Sequence, residues 1–407
     1  MYDMAAIGAW IEFAVRWVHV ITAIAWIGSS FYFIALDLGL HRDRNLKTGA
    51  DGEEWQVHGG GFYHVQKYLV APAQMPDDLI WFKWESYSTW LSGFALLILV
   101  YYLGAEFYLV DPTVAELENW QAVGISLLSL GFGWLVYDQI CKSKFGDNNT
   151  RLMIGLYVIL VGMAYFYTSV FSGRAALLHL GAFTATIMSA NVFFIIMPNQ
   201  RIVVADLKAG RVPDAKYGKI AKQRSTHNNY LTLPVIFLML SNHYPLAFAS
   251  EMNWLIAALV FLMGVTIRHY FNSLHARQGN PTWTWAVTAL LFVTIMWLST
   301  APMFRSVEPA EATGPALRFA QAEGFDRVHD IVRGRCSMCH AAEPAWDGLL
   351  WPPKSVRLET EHQIASAAKQ IYLQAGVTDA MPPANLSHMQ ASERAEIVAW
   401  FNAAAQD

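Results

Sequence analysis

The chain has 407 residues, of which 55% are hydrophobic, 14% aromatic and 15% charged, with a formal net charge of −4. Soluble domains carry about 25% charged residues, so this composition excludes an ordinary soluble protein, and the slightly negative charge gives no indication of nucleic-acid binding. The three cysteines are too few for a disulfide framework.

Eight apolar stretches predict membrane-spanning helices, because a helix of about 20 apolar residues crosses a bilayer. They cover residues 8–37, 87–109, 121–141, 152–172, 175–197, 230–250, 252–271 and 283–303. The sixth is the weakest, since Pro234 and the polar run 241–243 interrupt it. The first has neither a basic segment before it nor a small-residue cleavage site after it, which predicts a retained span. The sequence thus predicts an all-α bundle of eight helices over residues 1–304.

Three histidines at similar predicted depth stand out among the ionisable residues of these spans. His19 lies in the first span, His179 in the fifth and His243 near the end of the sixth, and Arg16 lies one helical turn before His19. Ionisable side chains in a bilayer are costly and are functional candidates by default. Their common depth favours a metal or a b-type haem with two histidine ligands. The alternative, that each is a packing histidine bonded to the backbone, stays open.

A second group of polar residues is predicted near the opposite membrane face. It comprises Asp37, His41, His58, His64, Glu85, Asp138, Asn191, Asn199, Arg201, His227, Asn228, Asn229, Arg268, His269 and His275. Amides, an arginine fork and aromatic rings would hold a planar, amide-rich anion, although many membrane interfaces carry the same groups. In the long loop after the first span, three consecutive glycines (59–61) suit either close approach to a ligand or a hinge.

After Pro302 the composition changes to that of a small acidic domain. Residues 305–407 carry 9 Lys+Arg and 13 Asp+Glu, and we predict a linker over 305–315 and a soluble α-helical domain over 316–407. The run Cys336-Ser337-Met338-Cys339-His340 matches the C-x-x-C-H pattern of covalent c-haem attachment. The two cysteines form the thioethers and His340 supplies one axial ligand of the iron. Helical periodicity on both sides of the motif fits a small cytochrome c fold with one haem.

The second axial ligand of that iron is predicted to be Met381, which lies in the proline-stiffened stretch 379–383. Met389 is the alternative, whereas Met338 is too close to His340 to reach the other face of the haem. Two cysteines at this spacing can instead be redox-active or bind zinc. A six-coordinate haem has no open position, so the domain is predicted to carry electrons rather than to act on a substrate.

Two independent features predict the orientation in the membrane. Bacteria attach c haems outside the cytoplasmic membrane, which places the C-terminal domain, and with eight spans also the N-terminus, in the periplasm. The loops on the other side contain five, three, seven and one lysines and arginines, sixteen in all, whereas the N-terminal tail and remaining loops contain only Arg174. Basic residues favour the cytoplasmic side. Both features predict a multi-pass protein of the bacterial cytoplasmic membrane.

Several segments together resemble the bacterial membrane-bound urate oxidases that are fused to a cytochrome c. They are WVHVITAIAWIGSSFYFIALD, HGGGFYHVQKY, WFKWESYSTWLSG, SANVFFIIMPNQR, HNNYLTLPVIFLMLSNHYP and the terminal CSMCH followed by MPP. The resemblance covers essentially the whole chain. It implies oxidation of urate to 5-hydroxyisourate in purine catabolism, with electrons passed to the c haem and on to an external cytochrome or terminal oxidase. It assigns no catalytic residues, and carries over only Cys336, Cys339 and His340.

The first helix also resembles that of the integral-membrane protoporphyrinogen oxidases and copper-resistance membrane proteins. In some of those proteins the matching histidine binds a b haem, which singles out His19. Two other functions stay open from the sequence: a quinol–cytochrome electron-transfer module without urate chemistry, and a transporter with a haem sensor domain. A covalent haem with a methionine ligand suits electron transfer better than sensing.

Overall fold

The structure, a computed structural model, describes residues 4–68, 76–112, 114–250, 252–300, 312, 314–346, 349, 352–353 and 356–405. Residues 4–300 form helices α1 (Met4–Gly39), α2 (Trp84–Leu96), α3 (Ala105–Tyr108), α4 (Asn119–Lys142), α5 (Asn149–Thr168), α6 (Gly173–Ala190), α7 (Met197–Lys208), α8 (Ala215–Ser241), α9 (Pro245–Phe248), α10 (Asn253–His275) and α11 (Trp283–Thr300). Two π-helical turns prolong them: Leu97–Tyr102 continues α2, and Asn191–Ile196 joins α6 to α7.

Polar residues start several of these helices where the chain turns back. Asn148 accepts a hydrogen bond from the backbone N–H of Arg151 at the start of α5, and Ser172 accepts one from Ala175 at the start of α6. Such N-caps satisfy backbone donors that have no partner within the helix. Short connections between capped helices make consecutive helices antiparallel, which is the arrangement of a membrane bundle.

Six helical segments within the described residues are long and apolar enough to cross a membrane. They are Ala6–Gly39, Asn119–Lys142, Asn149–Thr168, Gly173–Lys208, Asn253–His275 and Trp283–Thr300. The predicted second span, 87–109, starts instead at Trp84 and breaks at Gly104 between the π-helical turn and α3. The predicted sixth span, 230–250, ends at Ser241, and α8 extends it backwards to Ala215 through a mostly polar segment. Within the described residues, each predicted span therefore overlaps a helix, and six of these helical segments have the length and hydropathy of a membrane span.

The fold is mostly helical, as predicted, but the loop after α1 departs from a purely α-helical fold. Strands β1 (Ala50–His58) and β2 (Gly61–Tyr68) pair there as an antiparallel hairpin. Gly59 and Gly60 form its two-residue turn with φ of 59° and 79°, and a turn with two positive φ angles strongly favours glycine. The triple glycine therefore closes a hairpin, and two strand-like runs separated by Gly-Gly were the signal for it.

Helix α6 is the central element of the bundle. It contacts α2, α4, α5, α8 and α10, and its buried side chains include Leu177, Leu180, Phe183 and Ile187. The outer faces of α1 and α11 are lined with exposed apolar side chains such as Trp17, Ile24 and Trp297. A helix that is apolar all round is typical of a membrane span whose outer face meets lipid.

Residues 312–405 form a separate helical unit with its own hydrophobic core. Its helices are α12 (Pro315–Gln321), α13 (Phe325–His340), α14 (Glu361–Ser366), α15 (Ala368–Ile371), the π-helical turn Tyr372–Val377 and α16 (Ala391–Ala404). The first long helix packs on the last one, where Phe325 and Trp400 lie 5.9 Å apart between ring centroids. Most of the predicted linker 305–315 lies outside the described residues.

This C-terminal unit lies against α3, at one end of the bundle. Phe107 packs on Phe319 with ring centroids 5.8 Å apart. We call this end of the bundle the domain side. The opposite end carries the hairpin and the end of α1, where the guanidinium of Arg277 donates to the carbonyl oxygen of Gly39 at 2.9 Å, and we call it the hairpin side.

Candidate functional site

A cavity of about 190 Å³ lies in the half of the bundle nearer the domain side, between α1, α2, α6 and the end of α8. Its polar lining comprises Arg16, His19, Thr89, Arg174, Thr186, Asn242 and His243. Its apolar lining includes Trp26, Trp90, Phe94, Leu97, Tyr101 and Met239. A mostly apolar pocket with a few convergent polar groups is the usual form of a small-molecule site.

Hydrogen bonds hold His19 in a fixed orientation in this cavity. Its Nδ1 lies 3.0 Å from the carbonyl oxygen of Thr89 and 3.1 Å from Oγ of Ser92. The carbonyl oxygen can only accept, so Nδ1 carries the hydrogen and Nε2 keeps a lone pair. Gly93 leaves room for the ring, because a Cβ there would lie 2.9 Å from Cε1 of His19.

Two arginines give the cavity positive charge. Arg16 donates to the carboxylate of Glu12 at 2.6 Å, so its charge is partly balanced. The guanidinium of Arg174 lies 5.1 Å from the ring centroid of Tyr108. Its Nε–H is buried and has no hydrogen-bond partner among the described residues, and the same holds for Oδ1 of Asn242. Buried polar atoms of this kind normally have a partner, which points to a polar ligand or water in the cavity.

Aromatic side chains form flat walls beside these polar groups. The rings of Trp90 and Phe94 stack with centroids 5.2 Å apart and planes 5° from parallel. The indole N–H of Trp90 donates to Oγ1 of Thr186 at 3.1 Å, which fixes the ring on α6. Parallel rings next to cationic groups can hold a planar anion.

The sequence singled out four ionisable residues in the spans, of which three line this cavity and one does not. Arg16, His19 and His243 line the same cavity. His179 is fully buried behind Tyr101, whose ring centroid lies 5.5 Å from the imidazole, and its Nδ1 bonds to the carbonyl oxygen of Ala175 at 2.8 Å. Among the described residues, no group of three or more His, Cys, Asp or Glu could hold a metal ion.

A second polar cluster is buried in the hairpin-side half of the bundle. Arg224 donates to Asp138 at 2.7 Å and to Asn191 at 3.3 Å, and the amide of Asn191 donates to the hydroxyl of Tyr137 at 3.4 Å. That hydroxyl in turn lies 2.7 Å from Nδ1 of His227. The sequence predicted Asp138, Asn191 and His227 as a group. It missed Tyr137 and treated Arg224 as a loop residue, although the side chain is 1% exposed on α8.

The other residues predicted at this face are spread over several local contacts. Arg268 donates to Asn229 and Asn272, and its guanidinium lies 4.1 Å from the ring of Phe31. His64 stacks on Trp55 of the hairpin and bonds to Glu53 at 2.8 Å. Further pairs are Asp37 with Lys67 and Lys222, Asn191 with Asn228, His41 with Arg277, and His269 near Trp283. The structure does not bring this group together at one cavity.

Replacing Asp138 with Ala is expected to destabilise the bundle by about 3–5 kcal/mol, because it leaves the buried guanidinium of Arg224 without its counter-charge. Lys142 also pairs with Asp138, at 2.6 Å, but its side chain is 58% exposed. Lys142→Ala should therefore cost at most about 1 kcal/mol. Denaturant titration followed by circular dichroism measures both changes, and equal losses would mean that the buried pair is not what stabilises this region.

The cysteine motif lies in the last turns of α13. Cys336 and Cys339 are not bonded to another cysteine, and burial raises the pKa of the Cys336 thiol to about 11. Nδ1 of His340 lies 2.8 Å from the carbonyl oxygen of Val356, so this nitrogen donates and Nε2 keeps its lone pair for a ligand. Two free thiols and an oriented histidine fit the covalent attachment and axial ligation of a c haem.

The two candidate methionine ligands have different surroundings. Met381 lies in a loop, where its N–H donates to Gln374 at 2.8 Å and its carbonyl oxygen accepts from Arg394 at 2.9 Å. Met389 is 3% exposed within the core of the C-terminal unit. Met338 follows Cys336 on α13, and its carbonyl oxygen accepts from Trp346 at 3.0 Å.

An ion pair ties the motif helix to the last helix. Nε and the terminal nitrogen of Arg335 donate to Glu393 at 2.9–3.1 Å, and Glu393 also accepts from the N–H of Gln390 at 2.7 Å. Burial acts to raise the pKa of Glu393, but these hydrogen bonds outweigh it and lower the pKa below its usual 4.5. The charged carboxylate is therefore the form that joins α13 to α16.

Glu393→Gln is expected to destabilise the C-terminal unit at neutral pH by about 1–3 kcal/mol, since it removes a charge-assisted hydrogen bond. A carboxyl with a lowered native pKa contributes its stability above the unfolded value and loses it as the pH falls through the native value. The difference from wild type should therefore shrink below about pH 4.5. Unfolding curves of the full-length protein at several pH values test this, and a difference that grows at acid pH would contradict it.

Comparison with known protein families gives a match. A family model described as urate oxidase N-terminal matches residues 5–299. Curated proteins and solved structures give no match. The matched range ends just before the end of α11 and contains the whole cavity, whereas the cysteine motif lies outside it.

Proposed function

The chain belongs to the urate oxidase N-terminal family, and on that premise we propose that it oxidises urate within its membrane part and passes the electrons out through its C-terminal unit. Urate and one water give 5-hydroxyisourate, two protons and two electrons. The observation that carries the proposal is the cavity, which combines cationic, hydrogen-bonding and planar aromatic groups at the end of the bundle where the C-terminal unit lies.

The cavity lining suits the chemistry of urate, a planar bicyclic anion rich in N–H and C=O groups. Arg16 and Arg174 complement its charge, and the carbonyl oxygen of Asn242 can accept from a ring N–H. The stacked pair Trp90 and Phe94 offers a flat surface. A hydrogen bond from the Nε–H of Arg174, which has no partner among the described residues, to a urate oxygen would make the contact strong as well as specific in this mostly apolar cavity.

His19 is the proton acceptor in this proposal. Oxidation releases two protons, and a general base must lie within hydrogen-bond reach of the proton that it takes. Because Nδ1 is committed to the carbonyl oxygen of Thr89, the lone pair of Nε2 is available on the other side of the ring. Thr89 fixes the tautomer of His19 by accepting a hydrogen bond from Nδ1–H. Gly93 leaves space for the imidazole ring.

Cys336, Cys339 and His340 would hold a c haem, with Met381 as the second axial ligand. When bound, such a haem accepts and releases one electron at a time. The free Nε2 of His340 supports this role, as does the loop position of Met381, whose backbone is fixed at both N–H and C=O. Met389 is less suited, because it is 3% exposed within the core of the unit, whereas Met381 is only partly buried against that core.

The proposal includes eight membrane crossings, with the C-terminal unit in the periplasm of a bacterial cytoplasmic membrane. Hydrogen bonds between helix ends support an even number of membrane crossings. On the domain side Ser172 bonds to Leu109, and Ser250 bonds to Leu298. On the hairpin side Gln223 bonds to Gly146, so α2 and α8 run between the same two ends as the six apolar spans. The basic loops lie on the hairpin side, which fits the cytoplasm. An external cytochrome or terminal oxidase would take the electrons.

A b haem ligated by His19 and His243 is the competing occupant of the cavity. It is favoured by the presence of both histidines in the lining and would provide a store between a two-electron substrate and a one-electron carrier. A reduced pyridine-haemochrome spectrum of the purified protein separates the two. A purely c-type spectrum would support urate as the occupant of the cavity. Equal b-type and c-type signals would support a b haem as its occupant.

Steady-state turnover tests the function itself. Purified protein in detergent should consume urate and reduce added ferricytochrome c in a ratio of two cytochromes to one urate, without forming hydrogen peroxide. Peroxide in a one-to-one ratio with urate would mean that the electrons leave directly to oxygen, and no consumption of urate would contradict the proposed activity.

A further inference from the structure

We propose that Tyr108 positions the C-terminal unit on the bundle and lies in the path by which electrons enter that unit, an inference that rests on the proposed function. Tyr108 ends α3, just after the break at Gly104. Its ring touches the cavity lining on one side and the C-terminal unit on the other.

On the cavity side, Tyr108 contacts two residues of the lining. The guanidinium of Arg174 lies over its ring at 5.1 Å, and the ring of Tyr101 lies 6.4 Å away between centroids. The end of α3 is held to the start of α6, because the hydroxyl of Ser172 donates to the carbonyl oxygen of Tyr108 at 2.6 Å. Tyr108 is therefore fixed relative to the cavity.

On the other side, Tyr108 contacts one helix of the C-terminal unit. Nζ of Lys369 lies 5.8 Å from its ring centroid, and the amide of Gln370 donates to its hydroxyl at 3.3 Å. Two cations, Arg174 and Lys369, one from each part of the chain, thus contact the same ring. Because each part of the chain makes a cation–π contact with the ring of Tyr108, this ring helps to hold the C-terminal unit on the bundle.

The helix that touches Tyr108 leads directly to the predicted haem ligand. Gln370 lies in α15, which continues as the π-helical turn Tyr372–Val377. One turn after Gln370, the carbonyl oxygen of Gln374 accepts from the N–H of Met381 at 2.8 Å. Contact at Gln370 therefore sets the position of the Met381 loop relative to the cavity, so electrons enter on the methionine side.

Neighbouring contacts hold the same orientation. Arg318 lies 3.6 Å from Glu106 and 5.6 Å from the ring centroid of Phe107, which packs on Phe319. In each transfer step one electron leaves the substrate that is being oxidised and arrives in the C-terminal unit, and no bond forms or breaks at Tyr108. Because electron tunnelling weakens steeply with distance, a loosened contact slows this step.

The test uses full-length haem-loaded protein with Tyr108→Leu, Tyr108→Phe and the control Tyr165→Leu. Tyr165 is 60% exposed near the domain-side end of α5 and contacts Trp254. Tyr108→Leu removes two cation–π contacts, which corresponds to roughly a fivefold to thirtyfold shift in the docking equilibrium. Urate-driven reduction of the c haem should fall by a similar factor. Tyr108→Phe should restore the rate to within about threefold, since it loses only the bond to Gln370.

A distance measurement adds a readout that is independent of activity. In a Cys141→Ser background, which removes the remaining free thiol, spin labels on Val114→Cys and Val377→Cys, two exposed positions on opposite parts of the chain, should give a narrow distance distribution with the wild-type Tyr108 and in the Tyr165 control, and a broader one in Tyr108→Leu. Reduction by dithionite should be equal in all variants.

A control-like rate of urate-driven reduction in Tyr108→Leu would overturn the proposal, whatever the distance distribution. A slowed rate supports it. If urate does not reduce the wild-type protein at all, the proposed function fails, and the distance distribution still decides whether Tyr108 positions the unit.

Discussion

Serine in place of both Cys336 and Cys339 is expected to reduce urate-driven electron transfer to background while the helical bundle stays folded. A serine hydroxyl forms no thioether, so the covalent link that the C-x-x-C-H motif provides is lost. The bundle has a hydrophobic core separate from that of the C-terminal unit, so its fold does not depend on the motif. Haemochrome spectra measure the loss of covalently bound haem, and circular dichroism measures whether the bundle stays folded. Reduction of ferricytochrome c by urate measures the electron transfer.

The third cysteine is the matched control for this double change. Cys141 lies on α4, partly buried in the hairpin-side half of the bundle. Cys141→Ser should keep the c-type spectrum and the wild-type rate with urate. Ferricytochrome reduction by urate that persists in the double serine variant would show that electrons leave the bundle by another route.

Replacing Arg174 with Gln should lower kcat/KM for urate by about 10²–10³-fold, which corresponds to about 3–4 kcal/mol. The change removes a cation whose Nε–H has no partner among the described residues and puts a shorter, neutral amide in its place. Arg174→Lys keeps the charge but not the planar donor set, so its loss should be smaller. Kinetics with urate as the varied substrate give both values.

An exposed arginine provides the comparison. Arg151 at the start of α5 donates to the carbonyl oxygens of Lys144 and Phe145, and Arg151→Gln should leave kcat/KM unchanged. If Arg174→Gln also keeps the wild-type kcat/KM, urate is not bound in this cavity. Equal reduction of both variants by dithionite shows that the C-terminal unit is intact.

Hydropathy predicted the long helices well, because each of them must present an apolar surface along most of its length. It misplaced the ends of two helices, each for a local reason. Gly104 breaks the second helix, and α8 begins in a polar segment that looks like a loop in the sequence although it buries Arg224, His227 and Asn229. Arg224 is the clearest case, since Asp138 from another helix neutralises it and no local pattern reveals that partner.

The candidate site was predictable in part. Depth along the helices put Arg16, His19 and His243 at a similar height, because helix rise converts sequence position into height, and in the structure the three residues line one cavity. It could not place His179, since rotation about the helix axis decides whether a side chain lines the cavity or lies behind Tyr101. Arg174 and Tyr108 were missed for a related reason, as their roles come from contacts between parts of the chain that are distant in sequence.

Anaerobic rapid mixing of oxidised protein with urate tests the central claim most directly. The absorption band of the reduced c haem should appear in a single turnover, with one urate reducing two protein molecules when protein is in excess. No reduction by urate, together with rapid reduction by a quinol, would contradict the account and identify the chain as a quinol-linked electron-transfer module.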